Sequence, residues 1–171
     1  MIREPVKQYL DKHSKPLSAS LKKIQEETAK LFEGSHMICG THVANLLSIL
    51  IKIMNAKHVI DIGTYVGFSA LAIAEALPED GKVISCERDQ KYIEEATKNI
   101  KAHPQGHKVK LYFGNATDCI DQLKTPLDVS FLDADKTPYL DYYNQLIEKT
   151  RPGGVIVVDD ALWKGMVAEP N

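Results

Sequence analysis

The feature that most constrains this chain is a rhythm beginning at Lys57, where short β-branched runs alternate with longer amphipathic stretches as far as Asp160. Such alternation predicts parallel strands joined by helical crossovers, because strands in a parallel sheet are covered on both faces by the helices that connect them. The runs HVIDIG (58–63), KVISCE (82–87), KVKLYFG (108–114), DVSFLDA (128–134) and GVIVVDD (154–160) read as five such strands. Helices are expected over 69–77, 90–102, 116–123 and 139–150. Pro78, Pro104, Pro126 and Pro152 fall between elements, where a missing backbone donor does least harm.

Residues 1–56 follow a different period. Leu21, Ile24, Thr28, Leu31 and Phe32, and then Val43, Leu46, Leu47, Leu50 and Ile51, recur at helical spacing on either side of the irregular segment GSHMICGTH. The expectation is a single domain over 1–171, with a helical cap (1–56) and an α/β core (57–171) built on a doubly wound, mostly parallel sheet. With 171 residues, 44% of them hydrophobic, the chain can bury a core without disulfide staples. Cys39, Cys86 and Cys119 are odd in number and form no CxxC pair, which argues against a disulfide framework or a zinc site and suits a reducing cytosol. A formal net charge of −2 gives no general attraction for a phosphate backbone, so a small molecule is expected as partner and nucleic acid is not. The N-terminal MIREPVKQYLDKHSK is too polar for a signal peptide, and no apolar run reaches the roughly 18 residues that cross a bilayer. A soluble cytoplasmic protein without a membrane partner is expected.

In a doubly wound sheet the carboxyl ends of the strands share one rim, and this sequence places acids there: Asp61, Glu87, Asp133, Asp159 and Asp160. The first strand runs into VIDIGTYVGFS (59–69), where Gly63 and Gly67 permit a tight turn and close approach of a nucleotide. The spacing is G-x-x-x-G and not the G-x-G-x-x-G that seats a pyrophosphate, which weakens a nicotinamide-dinucleotide reading. Glu87 closes the second strand 20 residues after Gly67, where a carboxylate can accept from both hydroxyls of a ribose. Ala116, in GNATD, offers a small surface to an adenine edge. Asp133 in FLDADK (131–136) and Asp159 and Asp160 in VVDDALW (157–163) supply carboxylate oxygens of the kind that hold Mg²⁺. Each of these acids also has a plainer reading, as a capping or solvated strand-end residue.

Together these segments resemble a known family. Residues 37–170 are similar to the cation-dependent O-methyltransferases that include caffeoyl-CoA and catechol O-methyltransferases, through MICGTHVANLL, VIDIGTYVGFSAL, ALPEDGKVISCERD, FLDADKTPYLDYY and RPGGVIVVDDALWKGMV in the family's order. The resemblance implies a Rossmann-like class I methyltransferase fold and an enzyme that moves methyl from S-adenosylmethionine to a hydroxyl of a small catechol or caffeoyl-type acceptor. It places the donor contacts on Cys39, Asp61, Gly63, Thr64, Ser69, Glu87 and Ala116, and the Mg²⁺ ligands on Asp133, Asp159 and Asp160. Lys136 matches the base of catechol-type members, with Asp133 beside it in the catalytic group, and a homodimer is implied.

Two departures accompany the match. Asp159-Asp160 stands where the family usually has Asp-Asn, adding a carboxylate to the metal group. Relatives also continue past the position of Asn171 through a further helix and an antiparallel strand pair, so the VIVVDD strand is expected to form a sheet edge. A donor-binding protein without catalysis is therefore the alternative reading. Lys136 also has a plainer reading, as a solvated helix-start lysine or a counter-ion to Asp135, and Trp163 and Met166 either wall an aromatic acceptor or belong to an exposed apolar segment.

Overall fold

The apolar runs form β1 (His58–Ile62), β2 (Lys82–Glu87), β3 (Val109–Phe113), β4 (Leu127–Leu132) and β5 (Thr150–Val158). They pair in the order β3-β2-β1-β4-β5, every pair parallel. The computed structural model describes residues 3–169; Met1, Ile2, Pro170 and Asn171, part of the single-domain reading of 1–171, lie outside the described residues. The crossovers are α4 (Phe68–Ala76), α5 (Gln90–Ala102), α6 (Ala116–Asp121) and α7 (Tyr139–Lys149), preceded by α1 (Glu4–His13), α2 (Ala19–Leu31) and α3 (Gly40–Ile53). This is the five-stranded parallel α/β sheet that the rhythm predicts, with the Rossmann-like fold that the resemblance implies.

Side-chain alternation along the strands sorts the core into two layers. Val59, Val83, Val129 and Phe131 point with Leu47 and Ile51 of α3 and Ile73 of α4 into one layer. Ile60, Ile62 and Leu132 point the opposite way, onto Ile120 of α6 and Leu146 of α7. Truncating a side chain as deeply buried as Phe131 to alanine costs about 3–5 kcal/mol in such a core. Helix α4 has no polar stripe because α2 packs over it, and Leu21 and Ile24 join Phe68 and Leu71 in a third cluster. Ser18 caps α2 by accepting from the Leu21 amide at 3.2 Å, a contact of about 1 kcal/mol.

Three details differ from the sequence reading. Leu31 and Leu46, counted on the periodic apolar faces, are exposed at 57% and 49%. Strand β5 begins at Thr150, ahead of the Pro-Gly-Gly that marks a loop, because Thr150 already pairs with Leu127. The four residues Arg151–Gly154 then bulge out opposite Asp128 alone, and Arg151 Nε fixes the bulge by donating to the Asp128 carboxylate at 2.5 Å. Finally, β4 and β5 stop before Asp133 and Asp159, so both acids begin loops instead of ending strands.

The order of the sheet positions the site. From β1 the chain steps outward to β2 and β3, then returns to the other side of β1 for β4 and β5. The loops after β1 and β4 therefore diverge to opposite faces and leave a crevice at their carboxyl ends, the usual place for a ligand in an open α/β sheet.

Candidate active site

That crevice is a cavity of about 740 Å³, bordered by Gly63, Glu87, Ala116, Asp133, Lys136 and Asp159 among others. Its floor is the turn after β1. The amides of Gly63 and Thr64 both donate to the Cys86 carbonyl, at 3.2 and 3.1 Å, and so tie the turn to β2. Gly63 has φ 106°, and a Cβ there would lie 2.0 Å from the Asp133 carbonyl oxygen. Only glycine lets the first and fourth strand ends approach this closely. Tyr65 is held at φ 50°, a left-handed conformation costing roughly 1–2 kcal/mol in a residue with a Cβ. In that conformation its amide donates to Glu87 Oε2 at 2.7 Å.

Glu87 is thereby fixed before any ligand arrives. Its Oε1 accepts from the amides of Arg88 at 2.9 Å and Asp89 at 2.8 Å, while Oε2 accepts from Tyr65. A carboxylate has about four lone-pair positions, so these three amides leave one, on Oε2, at the cavity wall.

Asp61, Thr64 and Ser69 are brought under the turn and do not border the main cavity. Asp61 Oδ2 accepts from Ser85 at 2.6 Å and Ser69 at 3.1 Å, and the Thr64 and Ser85 hydroxyls are 2.6 Å apart. Asp61 Oδ1 is buried without a partner. Burial pushes the Asp61 carboxyl up to about 7, against the two serine bonds that favour its charged form. Thr64 and Ser69 instead edge a second, small void with Cys39 and Asp133. An orphaned carboxylate oxygen beneath a nucleoside-sized cavity suits a cationic ligand, and S-adenosylmethionine carries a sulfonium and an ammonium. Cys39, at the start of α3, borders both spaces, its thiol held above the ordinary thiol range by burial and then by the charges of Asp61, Asp133 and Asp159.

The second half of the crevice lies between the ends of β4 and β5. The Asp133 carboxyl is raised to about 6, first by burial and then by the charge of Asp159, with Lys136 opposing and Asp160 adding to the rise. Mutual repulsion of this kind is what a bound cation relieves. Among the described residues, however, no three acids converge closely enough to hold a metal. Asp159 Oδ1 is occupied by the Asp160 amide at 2.8 Å, and Asp160 itself is exposed. The donor set therefore has the chemistry of a hard-cation site without its assembled geometry.

Lys136 is not paired with Asp135, which instead binds Arg88 at 3.0 Å. Its ammonium donates to the Tyr139 hydroxyl at 2.6 Å and the Asp159 carbonyl at 3.1 Å, and lies 4.0 Å from Asp133 Oδ1. Trp163 borders the cavity and Met166 does not. Sequence reasoning passed over Tyr65 and Tyr92, which meet edge to face with centroids 4.6 Å apart and line the same cavity. Tyr65 stands inside the glycine turn, but nothing in the sequence announces its left-handed backbone.

A parallel α/β sheet with a glycine turn, a backbone-anchored acid after the second strand and acids after the fourth and fifth defines a nucleoside-binding group-transfer domain. A family model described as O-methyltransferase matches residues 11–171, and the chain belongs to that family. It is 36% identical over 158 residues to caffeoyl-CoA O-methyltransferase 2 of Zea mays, covering 89% of this chain and 60% of that protein. A caffeoyl-CoA O-methyltransferase of Medicago sativa is 36% identical over 157 residues, with 88% and 63% covered. The chain thus spans less than two thirds of these relatives. Among solved structures, the O-methyltransferase TomG of Streptomyces achromogenes, in complex with SAM, superposes with a TM-score of 0.90 at 26% identity, covering 100% of this chain and 80% of that one. An O-methyltransferase of Bacillus cereus in complex with SAH gives 0.84 at 26% identity, covering 95% and 76%.

Proposed function

We propose that this protein transfers methyl from S-adenosylmethionine to a hydroxyl of a small catechol or caffeoyl-type acceptor, with a divalent cation such as Mg²⁺ in the acidic half of the crevice. The observation that carries the reading is the junction of two unlike half-sites in one cavity, Glu87 and the Gly63 turn on one side and Asp133 and Asp159 on the other. The donor brings an electrophilic methyl on a sulfonium. Gly63, Glu87 and Ala116 would fix its nucleoside, and the Asp61 carboxylate would offset its positive charge from below. Asp133, Asp159 and Asp160 would hold the cation, which lowers the pKa of a bound hydroxyl and aims its oxygen.

Lys136, beside Asp133, takes the acceptor's proton in this scheme as the neutral amine, on the lone pair left by its two donated hydrogen bonds, and becomes the ammonium. Holding the two reactants in line supplies most of the acceleration. A cytoplasmic homodimer completes the proposal, and its support is the resemblance.

Calorimetry with S-adenosylmethionine and a methyl-transfer assay on catechol and caffeoyl substrates, each with Mg²⁺ or EDTA, test this reading. Donor binding with cation-dependent turnover is expected, and full turnover in EDTA would remove the cation from the scheme. The unassembled acidic half supports a second reading, donor binding without catalysis, which predicts donor affinity with no turnover across the same substrates.

A further inference from the structure

The geometry points to Tyr139 as the positioning residue for Lys136, an inference that rests on the proposed role of Lys136 as proton acceptor. Tyr139 opens α7, three residues after Lys136, and its ring turns back against the strand ends instead of facing solvent. The hydroxyl donates to the carbonyl of Leu132, the last residue of β4, at 3.3 Å. It accepts from the Ala134 amide at 3.0 Å and from Lys136 Nζ at 2.6 Å. A phenol has one hydrogen. With that hydrogen directed to Leu132, Tyr139 can only accept from Lys136.

Lys136 has a second fixed acceptor, the Asp159 carbonyl just past β5 at 3.1 Å. Two acceptors on separate elements therefore hold one flexible amine across the gap between the β4 and β5 ends. Beyond its bond to Cε, the nitrogen has three positions, and these contacts use two. The third is left for the cavity, where Asp133 Oδ1 lies 4.0 Å away and an acceptor hydroxyl would enter. A lysine free to rotate would meet that hydroxyl only part of the time. Lysine chains carry the largest side-chain entropy, so fixing the amine in advance removes a loss otherwise incurred at each turnover.

A tyrosine that merely stapled α7 to β4 would need only its bonds to Leu132 and Ala134, and its removal would act on stability and donor binding alike. Acetic anhydride labelling read by mass spectrometry, together with steady-state kinetics, separates the two roles in Tyr139→Phe. In the wild type, Lys136 should acylate much more slowly than the exposed Lys101. In Tyr139→Phe its labelling should rise several-fold relative to Lys101, while kcat falls about tenfold and the Kd for S-adenosylmethionine stays within about twofold. Adding Lys136→Met to Tyr139→Phe should reduce kcat no further than Lys136→Met alone. Unchanged labelling and kcat in a folded Tyr139→Phe, or a parallel loss of donor affinity and thermal stability, would overturn the inference. So would wild-type labelling of Lys136 as fast as that of Lys101, a result that needs no variant to fold. Full turnover in Lys136→Met refutes the proton-acceptor reading and leaves labelling to decide whether Tyr139 holds the amine.

Discussion

The two halves of the crevice are built differently. The half around Gly63 and Glu87 lies beside β1, paired on both sides, and Glu87 and Asp61 Oδ2 there accept from backbone amides and buried hydroxyls, while Asp61 Oδ1 and the Tyr65 hydroxyl are buried without a partner. In the half around Asp133 and Asp159, Asp133 follows β4, paired on both sides, and Asp159 follows β5, which among the described residues has one sheet neighbour, and the charges of Asp159 and Asp160 both act on Asp133. The first half is rigid before ligand arrives. The second is a set of like charges whose arrangement depends on what joins them. Position in the sheet bears on Asp159 alone, because β1, β2 and β4 are each paired on both sides and β5, among the described residues, on one.

The most direct way to break this comparison is at the point where the halves touch. Gly63→Ala should destabilise the fold by about 3 kcal/mol or more, through a left-handed φ and a clash with the Asp133 carbonyl. Chemical denaturation measures the loss, and a variant as stable as the wild type would show that the two strand ends separate freely. Next in size is Glu87→Gln, which sets an NH₂ group among three backbone amides. A weakening of S-adenosylmethionine binding by about 1.5–3 kcal/mol is expected in calorimetry. Unchanged affinity would place the ribose elsewhere.

The halves also differ in their response to pH and to cations. Asp61, at about 7 in the fold against an ordinary carboxyl value of 3.8, binds its proton more tightly when folded. Its contribution to stability is therefore full below about pH 4 and is lost as pH rises toward and through 7. Thermal melts should show that decline in wild type and a flatter profile in Asp61→Asn. Donor affinity should move oppositely, rising with pH as Asp61 ionises beneath a cationic ligand.

Mg²⁺ should raise the melting temperature by a few degrees through the acidic half, an effect cancelled by EDTA and absent in Asp133→Asn. The smallest effect belongs to Asp160→Asn, an exposed position where stability without cation should shift by less than about 0.5 kcal/mol. If Asp160→Asn abolished the Mg²⁺ response as fully as Asp133→Asn, the acidic half would be more ordered than its geometry shows.

Much of this was legible in the chain because strand periodicity and glycine spacing are local properties. Five apolar runs separated by crossover-length stretches leave few alternatives to a parallel sheet, and Gly63, Glu87 and Asp133 meet at the rim because their strands are adjacent. Partners across the fold were less legible. A counter-ion to Asp135 was a plainer reading of Lys136, since the two are adjacent in sequence and only the packed loops bring Arg88 to Asp135. Asp61 is a donor contact only through the resemblance, and no spacing shows that its side chain turns to Ser69 and Ser85.

By itself, then, the sequence determined the layer order, the rim and the kinds of side chain gathered on it, because alternation of apolar and polar residues dictates which faces are buried. Tertiary structure alone decided how those side chains divide their hydrogen bonds. Glu87 has one acceptor position left, Asp61 holds an unpartnered oxygen, and Lys136 is held between Tyr139 and Asp159. Each outcome turns on distances between residues far apart in the chain, and a hydrogen bond lost over a few tenths of an ångström cannot be read from residue spacing.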